Sequence, residues 1–101
     1  MAKLQAIVMK AKDNVCTVIE DIVPEMEVGM EVGGEIIRVQ ATEAIPVGHK
    51  LAIRDIHQGD NIIKYGEVIG RATQLIQKGK HVHVHNLESC RGRGDRPEIT
   101  T

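Results

Sequence analysis

The sequence predicts a small all-β domain of short twisted strands and tight turns, on three observations. Isoleucine occurs 13 times and valine 11 times, against 4 leucines. β-Branched side chains are stiff in helices and pack well on a pleated surface. Polar and apolar residues alternate over short runs, as in Lys50-Leu51-Ala52-Ile53-Arg54, which Pro46 and Gly48 set off from the run before it. Finally, one template recurs as Ile45-x-x-Gly48-x-x-Leu51, Ile56-x-x-Gly59-x-x-Ile62 and Ile76-x-x-Gly79-x-x-Val82, with a looser copy at Met26-x-x-Gly29-x-x-Val32. Each glycine suits a positive-φ turn, and the apolar residues on either side drop into the core.

The strands follow in order. Leu4 to Met9 is the first, Lys12-Asp13-Asn14 a turn and Val15 to Glu20 the second. Pro24 to Gly34, rich in Glu and Gly, reads as turns around a short strand, and Glu35 to Gln40 resumes a full one. After Pro46 and Gly48 come Lys50 to Arg54, Asn61 to Lys64, Glu67 to Ile69 and Lys80 to Leu87. Arg71 to Lys78, between two glycines, reads as a short helix of marginal length. Residues 1–88 form the expected domain. Residues 89–101 carry almost no apolar side chains and are expected to be a mobile tail whose Arg91, Arg93 and Arg96 dock on an acidic surface or stay solvated.

At 101 residues the chain is one domain, too small to favour a large active site of its own. Its net charge of −1 gives no general pull towards nucleic acid or membrane. With one Tyr, no Phe and no Trp, base stacking is excluded as a binding mode. Residues 1–48 hold 4 basic and 8 acidic side chains, and residues 49–101 hold 9 basic and 6 acidic ones with all five histidines. An anionic ligand therefore favours the second half. Cys16 and Cys90 form neither a Cys-x-x-Cys motif nor a disulfide scaffold, and no apolar run approaches a membrane span. The expected compartment is the cytoplasm.

His81-Val82-His83-Val84-His85-Asn86 is the sharpest chemical signal. On a strand the three imidazoles share one face, roughly 6.5–7 Å apart. Two of them can converge on a metal ion, or they can hydrogen-bond a polyhydroxylated acid, or they form a solvated face. Three ligands on one strand do not reach one ion comfortably. His49 offers a base, acid or ligand near neutral pH, and Lys50 a cation for a carboxylate. Lys64 and Tyr65 set an ammonium beside the only phenol. No Gly-x-Gly-x-x-Gly, phosphate-binding loop or Ser/His/Asp arrangement is present.

Residues 45–86, through Gly48-His49-Lys50, Lys64-Tyr65-Gly66, Ile69-Gly70 and Val84-His85-Asn86, closely resemble the small N-terminal domain of the altronate and galactarate dehydratase family. That domain is of the SAF type, a β-clip fold. In long members a large catalytic domain follows the His-Asn motif. Here only 15 residues follow Asn86, and the chain is expected to resemble the small subunit of the family's split forms, altronate-type dehydratases and sulfolactate sulfo-lyase among them. The resemblance implies β-elimination from a 2-hydroxy acid, with a divalent metal, iron or manganese, held mainly by a separate large subunit. It implies a chain inactive alone. On this reading His49 and His85 are catalytic, Lys50, Lys64, Tyr65 and Asn86 bind substrate, and His83 with His85 supplies metal ligands. A non-catalytic binding module is the competing expectation. Unpaired edge strands also invite pairing between copies.

Overall fold

The computed structural model describes residues 4–89, and among them there is no helix. Nine strands follow in order: β1 (Ala6–Ile7), β2 (Val15–Val18), β3 (Glu27–Val32), β4 (Glu35–Gln40), β5 (Lys50–Ala52), β6 (Asn61–Lys64), β7 (Glu67–Ala72), β8 (His81–Val82) and β9 (Leu87–Ser89). They form three antiparallel sheets: a central one in the order β1-β2-β5-β8, the hairpin β3-β4, and the sheet β6-β7-β9.

Strand alternation divides the central sheet's side chains between two cores. Cys16, Val18 and Leu51 join Ile22, Val28, Met30, Val39 and Ile45 on the side of the first hairpin. Val15, Ala52 and Val82 join Ile56, Ile62, Ala72 and Ile76 on the side of the second. Each fully buried Ile, Val or Leu contributes about 1.5–3 kcal/mol, so the abundance of these residues offsets the lack of aromatics.

The recurring template is a structural duplication. Ile22 and Ile45 exchange both backbone hydrogen bonds, and so do Ile56 and Ile76. The Asp21 carboxylate accepts from the Val47 N–H, and the Asp55 carboxylate accepts from the Lys78 N–H at the matching place. The fourth copy is Ile22, Glu25 and Val28, not the Met26, Gly29 and Val32 expected from spacing. Ile22 and Val28 are buried, and Glu25 adopts the positive φ of 74° that glycine takes in the other copies. A glutamate at the turn hid this copy from a search for glycine.

Other departures have simple causes. The helix expected over Arg71 to Lys78 does not form. β7 runs to Ala72 and the rest is the turn that brings Ile76 to Ile56, because eight residues gain little from helix formation and Ile76 gains a buried partner. The expected strand over Lys80 to Leu87 breaks after Val82 into a turn, then resumes as β9 beside β7. The first strand shortens to Ala6–Ile7. Ser89 lies in β9, and the remainder of the expected tail, with Cys90 and Arg91, Arg93 and Arg96, lies outside the described residues. No described helix is long and apolar enough to cross a membrane.

Candidate functional site

β5 and β8 pair with Lys50 opposite Val82 and Leu51 opposite His81. Continued by one residue, this register sets His49 opposite His83, with His81 two positions along on the same face. Their rings stack accordingly. Centroids are 4.0 Å apart for His49 and His83, 5.1 Å for His49 and His81, and 5.6 Å for His81 and His83. His49 Nδ1 lies 2.9 Å from His81 Nε2. His85, exposed on the turn, approaches His81 at 5.2 Å between centroids.

Asn86 holds this turn. It is buried, its Oδ1 accepts from the His83 N–H at 3.0 Å, and its Nδ2 donates to the His81 carbonyl at 2.9 Å. Its amide is thus engaged with the backbone that carries the histidines. Glu43 accepts from the His81 N–H at 2.8 Å.

Burial and the neighbouring His85, His49 and His83 lower the His81 pKa, against the Glu43 carboxylate, which raises it. Burial, His49, Lys50 and His85 lower that of His83. Both rings are therefore neutral at pH 7, with lone pairs available. In the unfolded chain both regain the ordinary value of 6.5 and bind more protons than the folded chain just below it. Their contribution to stability is thus present above pH 6.5 and declines as pH falls through the window beneath it. In metal-free buffer the urea midpoint is expected to drop from pH 7 to pH 5, and to drop less in the double variant His81→Gln, His83→Gln. Parallel pH profiles would contradict this.

On the other face of β5, a cleft of about 350 Å³ is lined by Lys50, Lys64, Tyr65 and Glu67, with Ile69, Leu87 and Ser89. The Lys64 ammonium lies 5.0 Å from the Tyr65 ring centroid. The Tyr65 hydroxyl donates to Thr17 Oγ1 at 3.2 Å, and Thr17 is the cross-strand partner of Lys50. Burial, then the Lys64 charge, lowers the Lys50 pKa. Two cations and a phenol share one small opening with the Glu67 carboxylate, which leaves a net positive charge and donors suited to a carboxylate and its hydroxyls.

A buried carboxylate holds this cleft in shape. Tyr65 and Gly66 form the β6-β7 turn at φ of 55° and 80°, the positive pair that a type I′ hairpin requires. A non-glycine residue is strained there. Asp13, wholly buried, accepts from the N–H groups of Tyr65 (3.0 Å) and Gly66 (2.7 Å) and from those of Met9 and Lys10 (3.2 Å each). Sequence reading placed Asp13 in a turn but gave it no role, since its partners at Tyr65 and Gly66 lie some fifty residues away.

The structure thus brings His49, Lys50, Lys64, Tyr65 and the histidine turn to the two faces of one strand end. The imidazole nitrogens that converge are those of His49, His81 and His83, all within 4.8 Å of one another. Sequence reading had paired His83 with His85 and left His81 out. His57 stands apart, exposed beside Asp60. Burial pushes the Cys16 thiol up to about 12, which leaves no thiolate for chemistry.

Residues 4–90 match the altronate/galactarate dehydratase SAF domain family. The chain is similar to (2R)-sulfolactate sulfo-lyase subunit alpha of Chromohalobacter salexigens, at 49% identity over 55 residues, 54% of this chain and 58% of that one. It resembles the subunit of the same name from Paracoccus pantotrophus at 43% over 54 residues, 54% of this chain and 81% of that one. It is also 40% identical over 86 residues to altronate dehydratase of Escherichia coli, covering 85% of this chain and 17% of the enzyme. The matches therefore span just over half of the Chromohalobacter subunit and about a sixth of the dehydratase.

Proposed function

The chain belongs to the altronate/galactarate dehydratase SAF domain family, and from that premise we propose that it is the small subunit of a lyase that eliminates the C3 substituent of a 2-hydroxy acid, completed by a separate large catalytic subunit. The observation that carries the reading is that the Lys50–Lys64–Tyr65 cleft and the histidine cluster occupy the two faces of one end of β5, where the Lys50 charge acts on His83.

In the proposed reaction a base removes the proton from C2, the electron pair forms the C2=C3 bond, and the C3 substituent departs with its bonding electrons. Water leaves from a sugar acid such as altronate, its oxygen taking up a proton. The resulting enol becomes a 2-oxo acid by moving one proton to C3. Negative charge builds on the carboxylate and C2 as the proton leaves. Lys50 and Lys64 offset charge at the carboxylate, and the Tyr65 hydroxyl orients a substrate hydroxyl. The proton transfer is assigned to His85, which is exposed, lies outside the convergent trio and lines a separate opening with Gln74 and Asn86. A divalent metal, when bound, supplies Lewis-acid stabilisation of the same charge. Most catalytic groups come from the large subunit, and the enzyme works in the cytoplasm.

A second substrate reading, sulfolactate with sulfite as the leaving group, is favoured by the higher identity to the two sulfo-lyase alpha subunits. The carboxylate and 2-hydroxyl contacts are common to both, so one experiment tests the cleft. In the assembled enzyme, Lys50→Met is expected to raise KM about 10- to 100-fold, the loss of one charge-assisted hydrogen bond, with a smaller change in kcat. An unchanged KM for altronate and for sulfolactate would remove the cleft from the site.

A further inference from the structure

The four histidines of the cluster are not equivalent. His49 and His83 face each other across the β5-β8 ladder, and His81 lies two residues from His83 on the same face. Together these positions solve the problem that one strand alone does not, because the third imidazole arrives from the neighbouring strand. We infer that the convergence of His49, His81 and His83 at the open end of this ladder is a metal site of three imidazoles, selective for a divalent first-row transition ion, with His85 outside it. The inference goes beyond the lyase reading and does not rest on it.

The geometry fits such an ion. At ~2.1 Å per bond and tetrahedral angles, ligand nitrogens stand roughly 3.4 Å apart. Here all three lie within 4.8 Å of one another, and one pair is already at 2.9 Å. The three rings are only partly buried, so small side-chain rotations bring them onto one centre. The backbone beneath them is fixed: Asn86 ties His81 to His83, and Glu43 holds the His81 N–H. Such outer partners set ligand orientation.

The chemistry of the donors names the class of ion. A donor set of three imidazoles with no carboxylate among them disfavours Ca²⁺ and Mg²⁺, which prefer oxygen, and suits Zn²⁺, Fe²⁺ or Co²⁺. The nearest charges, Lys50 beside His83 and Glu43 beside His81, oppose each other. Three protein ligands leave at least one coordination position open, as in catalytic rather than structural sites.

Titration of the chelator-stripped full chain tests the site, with Co²⁺ followed by visible absorption and Zn²⁺ by calorimetry. One ion per chain is expected. His49→Ala, His81→Ala and His83→Ala are each expected to weaken binding at least about 100-fold, the upper end of what loss of an outer partner costs. His57→Ala and His85→Ala are expected to change it less than about tenfold. Glutamine variants, checked by circular dichroism, replace any alanine variant that loses its fold. Absence of stoichiometric binding, a weakening below about tenfold in any of the three, or an equal loss in His85→Ala overturns the assignment. Neither substrate nor a second polypeptide enters the measurement, so its failure is separable from failure of the lyase reading.

Discussion

Replacing Asp13 by alanine is expected to remove on the order of 4 kcal/mol of stability or more, a large share of the roughly 5–15 kcal/mol of a domain this size. The carboxylate is wholly buried and accepts four backbone N–H bonds, two from Met9 and Lys10 beside it and two from the distant Tyr65–Gly66 turn. Alanine leaves four part-buried donors without the acceptor that joins them, which costs more than the bonds' net worth. The left-handed turn at Tyr65 and Gly66 then loses the interaction that holds its strained residue in place. Asp13→Asn is expected to fall between wild type and alanine, because an amide keeps one acceptor oxygen and presents hydrogens on its other side. Urea or thermal unfolding reads the effect. A loss below about 1 kcal/mol for alanine would mean that the turn is held by other contacts.

The second large effect is catalytic. In the assembled enzyme, His85→Ala is expected to lower kcat roughly 10²- to 10⁴-fold, the usual contribution of a positioned acid or base, with KM little changed. Its ring stands beside the trio without joining it, so its removal spares their geometry. His57→Ala, on an exposed turn beside Asp60, serves as the control and is expected to leave turnover unchanged. A subunit that only scaffolds its partner predicts a loss below about tenfold for His85→Ala.

The all-β architecture was legible because β-branched abundance and repeated Ile-x-x-Gly-x-x spacing report local physics: stiff side chains, positive-φ turns and buried neighbours. Three copies of the template were visible, and the fourth was obscured by Glu25 at the glycine position. Spacing along one segment placed the imidazoles of His81, His83 and His85 on a common face, yet the strand ends at Val82 and His85 sits on the turn beside His81, outside the converging nitrogens. His49 became their neighbour only through the β5-β8 pairing, a contact across 32 residues that no local period encodes. The same limit applies to Asp13 and Thr17. Each touches Tyr65 from some fifty residues away in sequence, where a carboxylate or hydroxyl in a short polar segment looks like any other turn or strand residue.

The claim at the centre is that this small β scaffold carries one half of a reaction site. Turnover of altronate and of sulfolactate should be measured for the chain alone, for the large family polypeptide alone, and for the two mixed. The account predicts 2-oxo acid only in the mixture. Robust turnover by either polypeptide alone, at the rate of the mixture, would contradict it.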